Sequence, residues 1–407
     1  MTFPEAEDYL LGLEQFGMRF GLDRMRALMV SLREPQERFE QIHVVGTNGK
    51  SSAVRFTAAI LERHGLRTGG YTSPHLRSFR ERVEVGEEPV SEERFAAAVT
   101  CAAEAAHEVN AGREDDDRVT QFEALTAAAY VELAEGGVEV GVIEAGLGGR
   151  LDATNVIASR VQVLTGVDLE HTRWLGSTLA DIAEEKVAVV REGSTLVIGP
   201  DLHADALRVA QRVVRERGAS LVSARPATGG FQGKNYALAE AAAQAFLGRG
   251  LDPQAVREAA TQTRVTGRLE VVAEGPLTLL DGAHNPAGAR ALAASLPEVL
   301  AGRHPFTLVV SVLEDKDAAG LLEPLLALAD AAVFTRCANP RALAPAALAK
   351  LSARAGGPPG ETVSDPRAAL ARAREIAGVQ GAVLATGSIH LVADLVREAR
   401  DGRASAL

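Results

Sequence analysis

The chain has 407 residues, a formal net charge of −11, 46% hydrophobic and 24% charged residues, and two cysteines, Cys101 and Cys337. That length accommodates two or three domains with cores of their own, and the acidic balance argues against a general nucleic-acid binder. Two cysteines exclude a disulfide framework or a zinc-ligand spacing and fit a reducing cytoplasm; no stretch approaches the roughly 20 apolar residues of a membrane span, and the N-terminus lacks a signal-peptide layout.

From residue 41 to about 225, short β-branched runs alternate with amphipathic stretches. Ile42–Val45, Val138–Ile143, Val161–Thr165 and Thr195–Ile198 read as buried strands. Ser51–His64, Thr120–Leu133 and Leu179–Val190 read as the helices between them. The acidic run Glu114-Asp115-Asp116-Asp117 reads as a solvated loop. Two further helices, Tyr236–Leu247 and Pro253–Thr261, precede the polar link Thr263–Arg268. A second alternation follows, with strands at Leu277–Leu280, Phe306–Val312, Ala332–Thr335 and Ala382–Ala385. The pattern predicts an α/β protein of two domains, 1–268 and 269–407, each with a mostly parallel sheet covered by helices. Ligands in such sheets bind beyond the carboxyl ends of the strands, where the polar motifs of this chain fall.

The first motif, Gly46-Thr47-Asn48-Gly49-Lys50-Ser51-Ser52, lies between the strand Ile42–Val45 and a helix. Its glycines let backbone N–H groups turn toward phosphate, the helix N-terminus favours negative charge, and Lys50 supplies a cation. Ser51 or Ser52 reaches phosphate or magnesium. Val44 stands where the strict phosphate-loop pattern wants glycine. The second motif, Gly146 to Asn155, is a long loop after a strand that ends in Glu144. The third, Asp281-Gly282-Ala283-His284-Asn285-Pro286, is a polar turn opening a helix. Together they point to an enzyme that uses ATP to join a carboxylate to an amine.

The phosphate loop resembles the variant found in the Mur ligase superfamily. Further blocks narrow the resemblance to folylpolyglutamate synthases and dihydrofolate synthases: Thr72-Ser73-Pro74-His75-Leu76, Glu81-Arg82-Val83, Thr120-Gln121-Phe122-Glu123, Gly146–Asn155, Gly267-Arg268 and Asp281–Pro286. They occur in the family's order over nearly the whole chain. The resemblance implies an ATP-dependent ligase that adds L-glutamate to dihydropteroate, reduced folates or both through an acyl phosphate, with domain closure near residue 268 excluding water.

It also implies site residues. Ser73, Glu144 and His171 would bind magnesium; a carboxylate and a hydroxyl suit that ion, and an imidazole suits it less. Relatives often carry aspartate where Glu170 precedes His171 here. Lys186 matches a lysine that the family carbamylates, although Val187-Ala188 follows it where Ala-Gly is typical. Thr120, Gln121, Phe122, Glu123, Leu151, Asp152 and Ala153 would contact the pterin. Arg268 and Asp281 would complete the nucleotide site, Asn235 would touch the base, and His284 and Ser388 would serve phosphate or glutamate. The implied enzyme is a cytoplasmic monomer acting on small molecules, with two magnesium ions; a requirement for a monovalent cation is left open. Two rivals are a ligase of cell-wall precursors, which explains the Gly146–Asn155 loop less well, and an ATP-hydrolysing switch, which wants a strict phosphate-loop motif.

Overall fold

The computed structural model describes residues 1–13 and 19–397. Contacts divide the chain into two units, Met1–Thr228 with Gln232–Thr263, and Arg264 onward with Gly229–Phe231. Phe231 joins the second unit because its N–H donates to Ser295 Oγ at 3.2 Å.

The first unit is built on eight strands: β1 (Glu40–Val45), β2 (Thr68–Tyr71), β3 (Val83–Val85), β4 (Glu88–Pro89), β5 (Val140–Glu144), β6 (Val161–Leu164), β7 (Thr195–Ile198) and β8 (Ser220–Ser223). Their spatial order is β4-β3-β2-β5-β1-β6-β7-β8. All neighbours from β2 to β8 run parallel, while β3 and β4 form an antiparallel edge. The central β5 is buried at every position, as a strand covered on both faces must be. One apolar cluster gathers Tyr71, Phe79, Phe95, Leu125, Tyr130 and Ile143. Another gathers Leu164, Ile182, Leu196, Ile198 and Val213.

Register places the site. Val44 of β1 lies opposite Glu144 of β5 and Val163 of β6, and Tyr71 of β2 lies opposite Ile143. The segments that follow β1, β2, β5 and β6 therefore leave the sheet side by side, at the carboxyl edge where ligands of such sheets bind.

The second unit carries β9 (Glu270–Glu274), β10 (Leu277–Leu280), β11 (Phe306–Val310), β12 (Ala331–Phe334), β13 (Gly360–Thr362) and β14 (Ala382–Thr386). Their order is β13-β12-β11-β14-β10-β9, parallel except for the β9–β10 pair. Leu279, Phe306, Leu308, Phe334 and Leu384 pack with Leu292, Leu296, Leu321 and Leu325 in its core. Among the described residues no helix is long and apolar enough to cross a membrane.

Candidate active site

The phosphate loop leaves β1 and enters the helix Lys50–Glu62 at once. Gly46 has φ +150 and Gly49 has φ +85. A Cβ on Gly46 would lie 1.9 Å from Thr165 Oγ1, and one on Gly49 would lie 2.3 Å from Asn235 Oδ1, so neither position admits a side chain without movement. The loop is tied to the segment after β6: Thr47 N donates to Gly166 O at 3.0 Å, Thr165 Oγ1 to Asn48 O at 2.6 Å, and Asp168 N to Thr47 Oγ1 at 3.1 Å. Half-buried Lys50 donates from Nζ to Thr47 O at 3.3 Å. Ser52 Oγ is buried and has no partner among the described residues. A 13-residue helix opening on glycine, lysine and serine fits the phosphates of a nucleotide, because its dipole and N-terminal amides favour an anion.

Lys186, on the helix Leu179–Val187, is buried and donates from Nζ to Gly46 O at 2.9 Å. Burial, with the charge of Lys50 in support, pushes its pKa down from 10.5 to about 7, against the opposing pull of Glu170 and Asp152. The same helix end holds the Gly146–Asn155 loop, since Arg150 N donates to Glu185 O at 2.9 Å.

Of the three residues expected to hold magnesium, the structure joins two. Ser73 N donates to Glu144 Oε2 at 3.2 Å, and Glu144 is buried at the end of β5. His171 is exposed, in the left-handed region at φ +49, and its Nε2 lies 3.8 Å from Glu170 Oε1. Among the described residues no three histidines, cysteines or carboxylates gather as a metal-holding set. One carboxylate beside a serine nonetheless fits magnesium, which takes one or two protein oxygens and completes its shell with phosphate and water.

The expected pterin residues divide by how their polar groups are used. Thr120 caps the helix Gln121–Glu135: its Oγ1 accepts from Glu123 N at 3.3 Å, and Glu123 Oε2 accepts from Thr120 N at 2.8 Å. Glu123 also accepts from Arg24 Nε at 3.1 Å, an ion pair buried on both sides. Gln121 Nε2 donates to Leu10 O at 2.9 Å. The half-buried Phe122 ring packs on Gly146, with the ring of Tyr71 at 6.3 Å. Asp152 is buried; Leu147 N donates to its Oδ2 at 2.7 Å and Thr154 N to its Oδ1 at 3.1 Å. Burial pushes its carboxyl up, while these bonds pull the other way. Ala153 is buried and Leu151 is exposed.

In the second unit, Asp281 is buried and bridges two segments: Leu269 N donates to Oδ2 and Ala283 N to Oδ1, each at 2.8 Å. Burial raises its pKa and the Arg268 charge opposes the rise. His284 Nδ1 lies 2.9 Å from Gly282 O. Ser388 caps the helix Ile389–Val396, its Oγ accepting from His390 N at 3.2 Å.

Sequence reasoning missed Arg24, whose guanidinium joins Glu123 and Asp117, because 99 residues separate Arg24 from Glu123. It also missed Thr165 and Asp168, which brace the phosphate loop. The spacing Thr120-x-x-Glu123 was the available signal that these two side chains cap a helix.

The fold and this site define a class, nucleotide-using ligases with a phosphate-loop sheet and a second α/β unit. Residues 267–389 match the family described as "Mur ligase, glutamate ligase domain". A dihydrofolate synthase/folylpolyglutamate synthase of Mycobacterium tuberculosis is 35% identical over 383 residues, covering 83% of this chain and 78% of the relative. The Escherichia coli FolC structure in complex with DHPP and ADP has a TM-score of 0.84 at 28% identity, covering 97% of this chain and 96% of that one. The Yersinia pestis bifunctional folylpolyglutamate synthase/dihydrofolate synthase, complexed with AMPPNP and a Mn ion, has a TM-score of 0.82 at 30% identity, covering 97% of each chain. The chain belongs to the folylpolyglutamate synthase/dihydrofolate synthase family.

Proposed function

We propose that the protein is an ATP-dependent ligase that adds L-glutamate to dihydropteroate, reduced folates or both. The observation that carries this reading is the tie between the phosphate loop and the Gly146–Asn155 loop through one helix end, with Lys186 on Gly46 O and Glu185 O on Arg150 N. It supports the reading because a nucleotide on the first loop and an acceptor on the second would then meet at the same edge of one sheet.

The phosphates of ATP rest on Gly49–Ser52. The carboxylate of the acceptor attacks the γ-phosphorus in line, giving an acyl phosphate and ADP. The amine of glutamate attacks the acyl carbon, and phosphate leaves as the amide forms. Lys50 neutralises charge building on the transferring group, which is the main contribution a protein makes to such a transfer. Ser73 and Glu144 are the residues that would hold magnesium, and the ion would supply further charge neutralisation there. Phe122 offers the flat ring an apolar face, and Leu151 to Ala153 line its approach.

Lys186 is assigned as a carbamylation site. The reaction needs the neutral amine: its nitrogen adds to CO₂, a proton leaves, and a carbamate remains. A pKa of about 7 provides that amine at neutral pH. His171 is kept as an accessory to the metal on family resemblance alone. The reading further takes the enzyme as a cytoplasmic monomer, on the same resemblance and its two cysteines.

The deciding experiment measures phosphate release with ATP, magnesium and glutamate, using dihydropteroate, tetrahydrofolate or no pterin. Release with both pterins means a bifunctional enzyme, and release with one assigns that activity. No stimulation by either overturns the folate reading.

A further inference from the structure

Strand β1 carries a fully buried histidine that the reaction above does not use. His43 Nε2 lies 2.8 Å from Thr154 Oγ1, and Thr154 Oγ1 lies 2.5 Å from Asp152 Oδ1. Chemistry orients this chain of groups. Thr154 Oγ1 gives its one hydroxyl proton to Asp152 Oδ1. The Thr154 oxygen then accepts from His43 Nε2–H. The ring is the neutral Nε2–H tautomer, and burial, aided by the Arg191 charge, pushes its pKa down to about 3. Nδ1 is left with its lone pair, buried and without a partner among the described residues.

A leucine at this core position would leave no orphaned nitrogen, so the imidazole costs stability that its one N–H must offset. That N–H acts on a single hydroxyl, and the hydroxyl acts on Asp152. Asp152 in turn holds Leu147 N at one end of the loop and Thr154 N at the other, while Tyr130 Oη donates to Thr154 O at 3.1 Å. His43 sits three residues before Gly46, on the strand that feeds the phosphate loop.

We infer that His43 is a positioning residue for the acceptor: through Thr154 it orients the Asp152 carboxylate and so sets the shape of the Gly146–Asn155 loop. The inference rests on the reading that this loop receives the pterin.

The test compares wild type with His43→Leu, His43→Gln, Thr154→Val and Thr154→Ser in steady-state kinetics, with melting temperatures as the folding control. The amide nitrogen of glutamine reaches about the same point as imidazole Nε2 and donates, and serine keeps the hydroxyl. In His43→Leu and Thr154→Val the acceptor KM rises roughly tenfold, as a shifted contact demands, while ATP KM stays within about twofold. His43→Gln and Thr154→Ser stay near wild type. An unchanged acceptor KM in folded His43→Leu, or equal rises for acceptor and ATP, overturns the inference. If His43→Leu does not fold, Thr154→Val against Thr154→Ser decides on the same criteria. If wild type shows no pterin-stimulated phosphate release, the functional reading has failed, and amide hydrogen exchange decides the positioning role separately. Faster exchange at Leu147 and Thr154 in His43→Leu than in His43→Gln supports it; equal exchange overturns it.

Discussion

Lys186 Nζ donates to the carbonyl of Gly46 at 2.9 Å, across 140 residues of sequence. The contact places a buried amine of lowered pKa against the first residue of the phosphate loop, with Lys50 the charge that adds most to the effect of burial.

The sign of its pH dependence follows. The unfolded state holds this proton up to about pH 10.5 and the folded state only to about 7, so stability rises with pH across that window. In CO₂-free buffer, Lys186→Met melts above wild type at about pH 6, and the gap shrinks between the folded and unfolded pKa values, about 7 and 10.5. Bicarbonate raises the melting temperature of wild type and leaves Lys186→Met unmoved. Calorimetry checks both, and equal responses of the two proteins to bicarbonate would remove the carbamate.

Lys50→Ala lowers kcat by about a hundredfold or more, the loss typical for removing one charge-stabilising donor. Its hydrogen bond to Thr47 O, at 3.3 Å, is weak, so circular dichroism and the melting temperature stay close to wild type. Near-normal turnover would refute its role.

Gly46→Ala destabilises by about 1–3 kcal/mol for its strained backbone alone. The added Cβ also meets Thr165 Oγ1 at 1.9 Å. Denaturant titration therefore shows a loss that Thr165→Ala in the same chain recovers in part, since it removes the hydroxyl but not the strain.

Phe122→Ala and Glu123→Ala separate neighbours. Phe122→Ala raises acceptor KM with little change in ATP KM, which initial-rate kinetics reads directly. Glu123→Ala strips a buried ion pair and costs about 3–5 kcal/mol, seen as a lower denaturation midpoint.

The phosphate loop is legible in the sequence because its chemistry is local: glycines, lysine and serines at one strand–helix junction. β1, β6 and β7 are legible from apolar runs bounded by turns, within a residue or two of their ends. β2 is not, because Thr68-Gly69-Gly70-Tyr71 has no β-branched run. Its glycines serve close packing, since a Cβ on Gly69 would lie 2.4 Å from Leu133 Cδ2. The family resemblance assigns the polar block Thr120–Glu123 to ligand contact; the fold adds that two of its side chains cap their own helix and a third ties down Leu10 O.

By itself the sequence determined the alternation of strands and helices, the order of the motifs and the family resemblance, all of which depend on neighbours within a few residues. Tertiary structure alone decided the pairing of Lys186 with Gly46, of Arg24 with Glu123, and of His43 with Thr154. Each of these depends on which strands lie side by side and on what burial does to a charge or a lone pair. Strand register brings distant groups together, and exclusion of water then sets how strongly they act on one another.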